Sequence, residues 1–218
     1  MDYAEPHRKP EGLRDRIALA FVKFLRFFAD LFFRKRYGHR AVVLETVAAV
    51  PGMVAGLLQH LRSIRRMRDD QGWIKELLDE AENERMHLMT FIQIAQPTLF
   101  ERGLIMIAQA IFYNFYFFLY LFAPKTAHRV IGYFEEEAVT SYTHYLTEID
   151  EGRLENGPAP QIAIEYWKLP PDAKLRDVVI AVREDEAGHR DRNHYFADTL
   201  IAGGEPNAET TDYALRNT

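Results

Sequence analysis

The sequence contains no cysteine, and this absence excludes several kinds of chemistry. Disulfides, zinc–thiolate sites and iron–sulfur clusters all require cysteine, so a metal site here must use oxygen and imidazole ligands. Strand-like alternation is lacking, and glycine and proline contribute only 12 and 10 of 218 residues. There is no excess of positive charge, because the net charge is −5, so we expect no nucleic-acid partner. Residues 1–16 are charged and lack the apolar core of a signal peptide.

Apolar periodicity predicts long helices near residues 13–36, 41–68, 72–95, 98–122, 126–150 and 173–202. Glycines and prolines mark a long connection over 151–171, with a short helix near 162–168. The fold class is therefore all-α, and the length suits one sizeable domain. We expect an N-terminal arm and amphipathic helix over 1–39, a helical bundle over 40–202 and a polar C-terminal tail over 203–218.

Two segments are unusually apolar. Leu13–Arg36 carries an apolar stripe and ends in three basic residues, which suits a helix lying in a membrane surface. Leu104–Ala123 runs for 20 residues without a charge, near the length that spans a bilayer, although polar side chains interrupt it. The alternative for each segment is a buried core helix. Because both occur in one chain, we favour contact with one leaflet of a membrane.

Two Glu-x-x-His pairs lie on apolar helical stripes. Glu186 and His189 sit in the middle of the stripe of helix 173–202, and Glu84 and His87 repeat the arrangement in helix 72–95. Residues three apart share a helix face, so each pair points toward the core. One such pair is a weak signal, but two pairs on apolar stripes indicate metal ligands. The alternative is that these residues are exposed or form internal salt bridges.

Each pair is preceded by a helix with an inward glutamate, Glu45 in the first half and Glu135 in the second. Among Glu135, Glu136 and Glu137, helical periodicity favours Glu135 as the inward-facing ligand. Glu137 could line a neighbouring pocket. Four glutamates with two Glu-x-x-His histidines are the ligand set of ferritin-like di-metal bundles. Two divalent cations would balance four buried carboxylates, and these hard ligands suit iron or manganese.

The helix over 98–122 lies between two of the ligand-bearing helices but offers no ligand of its own. It should therefore run beside the bundle. Together with helix 13–36 it would form an apolar slab dipping into one leaflet. The expected fold is a ferritin-like four-helix di-iron bundle with two additional apolar helices that form a monotopic membrane-binding face.

Four blocks of the sequence closely resemble the signature blocks of the alternative oxidases: Leu44–Thr46, Asn83–Leu88, Glu135–Ala138 and Arg183–Arg190. The resemblance covers roughly residues 40–198. It implies a membrane-bound, homodimeric ubiquinol oxidase that reduces oxygen to water without pumping protons. Its cofactor would be two iron ions, and its substrates ubiquinol and oxygen.

The resemblance also implies roles for individual side chains. The iron ligands would be Glu45, Glu84, His87, Glu135, Glu186 and His189. Six residues would surround the quinol: Arg40, Leu44, Phe112, Phe134, Glu137 and Ser141. Tyr142 would act in catalysis beside the irons, Asn83 and Asp185 would support the ligands, and His60 would lie at the dimer interface.

This chain departs from the family pattern at three positions. Ser141 stands where threonine is expected, Phe134 where leucine is usual, and Gly188 where a larger polar residue is common. The short N-terminus favours the cytoplasmic face of a bacterial inner membrane, with the matrix side of the mitochondrial inner membrane as the alternative. Three other functions stay open: a quinone-ring hydroxylase, a ferritin-like iron or peroxide handler, and a membrane-surface protein without enzymatic activity.

Overall fold

The computed structural model describes residues 8–33 and 36–208, without the side chain of Phe32. Residues 1–7 of the expected arm, Arg34 and Lys35 of the expected basic helix end, and residues 209–218 of the expected tail lie outside this description. Over the described residues the chain forms seven helices and no named strand, which confirms the all-α prediction. The helices are α1 (Gly12–Phe33), α2 (Tyr37–Arg66), α3 (Trp73–Ala95), α4 (Leu99–Phe122), α5 (Pro124–Asp150), α6 (Gln161–Trp167) and α7 (Leu175–Ile201).

Helices α2, α3, α5 and α7 form the central bundle, in which α2 packs closely on α3 and α5 packs closely on α7. The α2–α3 contact depends on small side chains. A Cβ added to Gly52 would lie 2.4 Å from the carbonyl oxygen of Leu77, and one added to Gly56 would lie 2.9 Å from Leu78. The face of α2 that carries Gly52 and Gly56 is therefore the surface that receives α3.

Helices α1 and α4 flank the bundle, with α4 mainly against α2 and α1 mainly against α5. Their inner sides join the core through residues such as Val22 and Tyr116, both fully buried. Their outer sides expose large apolar side chains: Leu13, Ile17, Phe24, Phe27, Phe28 and Leu31 on α1, and Leu99, Phe100, Met106, Ile107, Ile111, Phe118, Leu121 and Phe122 on α4. Among the described residues, α2 and α4 are long and apolar enough to cross a membrane.

The connection between α5 and α7 is well ordered by local contacts. Its short helix α6 packs against α3, and Ala159 pairs with Ala173 through a backbone hydrogen bond of 2.9 Å. Beyond α7, the described part of the tail folds back onto the α2–α3 loop, where the Ala208 amide donates to the carbonyl oxygen of Gln71 at 3.0 Å. These segments hold the ends of the bundle helices in place around its centre.

Candidate metal centre

Six acidic and imidazole side chains from the four bundle helices converge at mid-height. All are at most 4% exposed: Glu45 on α2, Glu84 and His87 on α3, Glu135 on α5, and Glu186 and His189 on α7. The α3 and α7 helices run antiparallel here, so that Glu84 faces His189 and His87 faces Glu186. The structure thus brings together all six residues that the sequence singled out as ligands.

The distances within this cluster are those of a shared binding site. One ligand atom from each of Glu45, Glu84, His87 and Glu186 lies within 4.8 Å of the others. His189 extends the group, because its Nδ1 is 2.6 Å from a carboxylate oxygen of Glu84. The carboxyl groups of Glu135 and Glu186 lie close enough that each shifts the pKa of the other.

Burial dominates the electrostatics of the cluster. It raises the pKa of Glu84 and of Glu135 well above the ordinary value, and neighbouring carboxylates raise both further. Burial and the charge of Glu84 likewise raise the pKa of Glu186 to about 7. Burial opposes ionisation of Glu45 too, but the hydrogen bond and charge of His87 outweigh it and lower the Glu45 pKa. Four ionised carboxylates at this depth require compensating positive charge.

The pattern of hydrogen bonds tests whether cations fit this cluster. Both carboxylate oxygens of Glu84, Oε2 of Glu186 and Nδ1 of His189 are buried without a hydrogen-bond partner among the described residues. His189 Nδ1 and Glu84 Oε1 are close together but do not have hydrogen-bond geometry. Two atoms placed in this way could both be ligands of one cation. Buried polar atoms rarely lack partners, so this donor set fits two divalent metal ions.

Asp185 supports the cluster from outside. The Nδ1 atom of His87 faces the carboxylates of the cluster, and its Nε2 atom lies 3.1 Å from Asp185. Asn83 and Trp167 donate hydrogen bonds to the same Asp185 oxygen at 2.9 and 2.8 Å. Burial alone would raise the pKa of Asp185, but these hydrogen bonds lower it to about 2. A carboxylate on the far nitrogen of an imidazole is the usual support of a metal-bound histidine.

Tyr142 contacts the cluster directly. Its hydroxyl donates a hydrogen bond to Glu45, and its ring stacks on Phe91 with 5.7 Å between centroids. Burial, followed by the charge of Glu45, raises the pKa of Tyr142 well above its ordinary value. The hydroxyl therefore stays protonated and holds its proton toward Glu45.

An apolar cavity of about 530 Å³ adjoins the cluster and ends on Glu45, Glu135, Glu186 and Tyr142. Its walls include five of the six residues expected around the quinol: Arg40, Leu44, Phe112, Phe134 and Glu137. Ser141 is buried on α5 but does not line the cavity. A cavity with apolar walls and a few polar groups at one end is typical of a small-molecule site.

Helix α1 supplies a wall of the cavity that was not expected from the sequence. Phe21, Val22 and Leu25 line the cavity from α1, and Arg26 lines it while pairing with Glu137. Asp30, further along α1, pairs with Arg40. The charged residues Arg26 and Asp30 within an otherwise apolar helix could have indicated this role. The sequence does not show, however, whether a charged side chain on such a helix faces the cavity or the solvent.

The expected interface residue His60 lies on the outer face of α2, away from the cluster. It is exposed, as are Met53, Leu57 and Ile64, which follow the same helical face. This face is a further row of exposed apolar side chains.

Comparison with known proteins identifies sequences similar to this chain. The family model for the alternative oxidases matches residues 2–198. The mitochondrial ubiquinol oxidase of Batrachochytrium dendrobatidis is 63% identical over 195 residues, covering 89% of this chain and 62% of that protein. Mitochondrial ubiquinol oxidase 1a of Arabidopsis thaliana is 58% identical over 199 residues, covering 91% of this chain and 56% of its own length. Mitochondrial ubiquinol oxidase 2 of Glycine max is 54% identical over 199 residues, with coverages of 91% and 60%. The chain thus spans about three fifths of the length of these relatives.

Proposed function

Because the chain belongs to the alternative oxidase family, we propose that it is a ubiquinol oxidase that reduces oxygen to water at a di-iron centre without pumping protons. Two quinols would give up four electrons and four protons, and one oxygen molecule would take them up to form two waters. The observation that best supports this proposal is that a substrate-sized cavity adjoins the candidate metal site. An apolar cavity large enough for a small aromatic molecule ends directly on three carboxylates of a buried glutamate–histidine cluster.

The cluster would hold two iron ions, with four carboxylates balancing four positive charges and one imidazole for each ion. Bound iron would supply the redox chemistry that passes electrons from the quinol to oxygen. The protein's own contribution is to fix the ligands: Asp185 orients the ring of His87, and Tyr142 holds its proton against Glu45. Burial keeps bulk water away from the carboxylates, which strengthens their interaction with cations.

The cavity would bind the quinol by its head group. Aromatic side chains of Phe112 and Phe134 meet edge to face, with 6.0 Å between centroids, and form an apolar wall for a planar ring. Glu137, held by Arg26, and Arg40, held by Asp30, bring charged groups to the same cavity. These groups would accept and donate hydrogen bonds at the quinol hydroxyls and so set the orientation of the ring.

Membrane binding through one leaflet is supported by the exposed apolar sides of α1 and α4, which flank the cavity. The cavity walls include residues of both helices, such as Leu25 and Ile111, so a quinol dissolved in lipid would reach it without crossing water. The similar proteins are named as mitochondrial, which supports the mitochondrial alternative and gives no support to the bacterial membrane expected from the sequence. The matrix side of the inner membrane is our own, finer proposal. The mitochondrial location is the one we propose.

We further propose a homodimer through the exposed face of α2. Met53, Leu57 and Ile64 are 45–58% exposed on this face, and His60 lies among them. An exposed apolar row on a helix that is otherwise buried in the bundle suits a second copy of the same surface. Replacing Leu57 by glutamate should give monomers in sedimentation measurements, whereas an unchanged dimer would contradict this interface.

The test of the proposed function is quinol-dependent oxygen uptake in the presence of cyanide. Iron-loaded protein in lipid vesicles should consume one oxygen molecule for every two quinols oxidised and release unmodified quinone. The Glu186→Ala variant should be inactive, whereas Glu184→Ala, at an exposed position on the same helix, should retain activity. A hydroxylated quinone would instead indicate a ring hydroxylase, and iron uptake without quinol oxidation would indicate a ferritin-like function.

A further inference from the structure

A buried hydrogen-bonded pair lies one helical turn from the metal cluster. The Nδ2 atom of Asn193 donates to both carboxylate oxygens of Glu80, at 2.9 and 3.1 Å, and lies 3.1 Å from the carbonyl oxygen of His189. Glu80 and Asn193 are 4% and 1% exposed. Glu80 precedes Glu84 by one turn on α3, and Asn193 follows His189 by one turn on α7. The pair therefore repeats the Glu84–His189 contact one turn along the same two helices.

The pair is the end of a longer chain of buried hydrogen bonds. Because Nδ2 of Asn193 faces Glu80, its Oδ1 is the acceptor for Nδ1–H of His128, at 2.9 Å. The unprotonated Nε2 of His128 then accepts from the Tyr120 hydroxyl at 3.1 Å, and that hydroxyl accepts from Gln59 at 3.0 Å. Burial lowers the pKa of His128 to about 4, which agrees with a neutral ring in this direction of bonding.

This chain of hydrogen bonds joins the two halves of the bundle. Gln59, Tyr120 and Glu80 belong to α2, α4 and α3, whereas His128 and Asn193 belong to α5 and α7. The close packing of the bundle is within the α2–α3 and α5–α7 pairs, while α3 and α7 touch at few points. The acidic cluster lies between these halves, and without cations its carboxylates repel one another across the gap.

A proton path is the other role that a buried polar chain suggests. The carboxamide of Asn193 interrupts such a path, because an amide neither gains nor loses a proton under ordinary conditions. The chain therefore fixes positions and does not carry charge.

We propose that Glu80 and Asn193 form a clasp that holds α3 and α7 at the spacing the two metal ions require, and that both are positioning residues of the metal centre. The clasp acts on the side of the cluster nearest His189, as Asp185 acts on the side of His87. This inference rests on the metal centre of the proposed function and adds two residues that belong neither to the six proposed ligands nor to the lining of the substrate cavity.

The test compares the variants Asn193→Asp, Glu80→Gln and the double variant that combines them, with metal-free protein titrated with Co²⁺. Asn193→Asp places two carboxylates face to face and should weaken Co²⁺ affinity by about tenfold or more, as loss of a supporting partner does in other metal sites. The double variant reverses the hydrogen bond and restores the original net charge, so it should recover most of that affinity. Asp191→Asn, on the outer side of the same helix, is the control and should bind as wild type does.

The visible absorption of bound Co²⁺ reports ligand geometry separately from affinity. It should change in Asn193→Asp and return to the wild-type spectrum in the double variant. Wild-type affinity in Asn193→Asp, or a double variant that binds no better, would overturn the clasp alone. A wild-type chain that binds no Co²⁺ would overturn the clasp together with the metal centre.

A failure of Asn193→Asp to fold would not end the test. Glu80→Gln keeps one of the two hydrogen bonds and should still weaken Co²⁺ binding, by a smaller factor. Unchanged affinity and an unchanged spectrum in Glu80→Gln would overturn the proposal. Circular dichroism of each metal-free variant shows whether the comparison is made between folded proteins.

Discussion

The hydroxyl of Tyr142 donates a hydrogen bond to Glu45, and so links α5 to α2 at the buried glutamate–histidine cluster. Tyr145, one turn further along α5, resembles it closely. Both rings stack on Phe91, at 5.7 and 6.5 Å between centroids, and both are 5% exposed. The two hydroxyl groups have different neighbours. The hydroxyl of Tyr142 bonds to Glu45, whereas that of Tyr145 lies near Gly38 in the first turn of α2. They form a matched pair for separating chemistry from packing.

Replacing Tyr142 by phenylalanine should leave metal content unchanged and lower quinol-dependent oxygen uptake by about 100-fold, the usual cost of losing a positioned proton donor. Tyr145→Phe should stay near wild-type activity. Steady-state oxygen uptake and iron analysis of both variants check this. Equal activities in the two variants would assign Tyr142 to packing alone.

Replacing Asp185 by asparagine should weaken metal binding by about 10- to 100-fold, since His87 loses the carboxylate that fixes its ring. Titration of metal-free protein with Fe²⁺ under argon measures the change. Glu184→Gln, at the exposed neighbouring position, should leave affinity unchanged. Wild-type affinity in Asp185→Asn would show that the His87 ring is held by other contacts.

The contact between α2 and α3 should tolerate no side chain at Gly52. A methyl group there would meet the Leu77 carbonyl oxygen at 2.4 Å, so Gly52→Ala should destabilise the fold by about 1–3 kcal/mol. Gly188→Ala is the control, because a Cβ at that helical position meets nothing within 4 Å. That variant should be more stable by about 0.5–1 kcal/mol, the cost of glycine in a helix. Urea denaturation monitored by circular dichroism decides both.

The contribution of His128 to the stability of the metal-free protein should fall as pH decreases, opposite in sign to that of the cluster glutamates, whose raised pKa values favour the folded state at lower pH. Burial lowers the folded-state pKa of His128 to about 4, from an ordinary value of 6.5. Between these values the unfolded chain binds a proton that the folded chain does not, so the His128 contribution should fall by roughly 2 kcal/mol from pH 7 to pH 5. The contribution is complete above pH 6.5 and is lost toward pH 4.

A His128→Gln variant supplies the comparison, because its amide does not titrate. The unfolding free energy of wild type minus that of the variant should be lower at pH 5 than at pH 7 by roughly 2 kcal/mol, because the cluster glutamates titrate alike in both proteins. Urea denaturation at both pH values gives the difference. Identical pH dependences would mean that His128 is already neutral in the unfolded chain or charged in the folded one.

The helices and the buried glutamate–histidine cluster were predictable, because helices follow from apolar periodicity and the cluster from the spacing of its residues. Two Glu-x-x-His pairs on apolar stripes place four side chains inward whatever the details of packing. The lone glutamates Glu45 and Glu135 followed from the same stripes. These local rules do not depend on knowing which helices are neighbours.

The rest of the site depends on contacts between segments that are distant in the sequence. Helical periodicity does not predict such contacts. Trp167 reaches Asp185 from a connection whose path was not predictable, and Arg26 faces the cavity from a helix expected mainly at the membrane. Glu80 and Asn193 lie on the inner faces of their helices, but their pairing requires the antiparallel register of α3 and α7. Such pairings are set by tertiary packing.

Iron content per chain tests the central claim most directly. Protein purified without chelators and reconstituted with Fe²⁺ should hold two iron ions per chain, as measured by inductively coupled plasma mass spectrometry. The Glu186→Ala variant should lose most of this iron, while Glu184→Ala should keep both ions. A wild-type chain that retains no iron, or a Glu186→Ala chain that still holds two ions, would contradict a centre built from these six side chains.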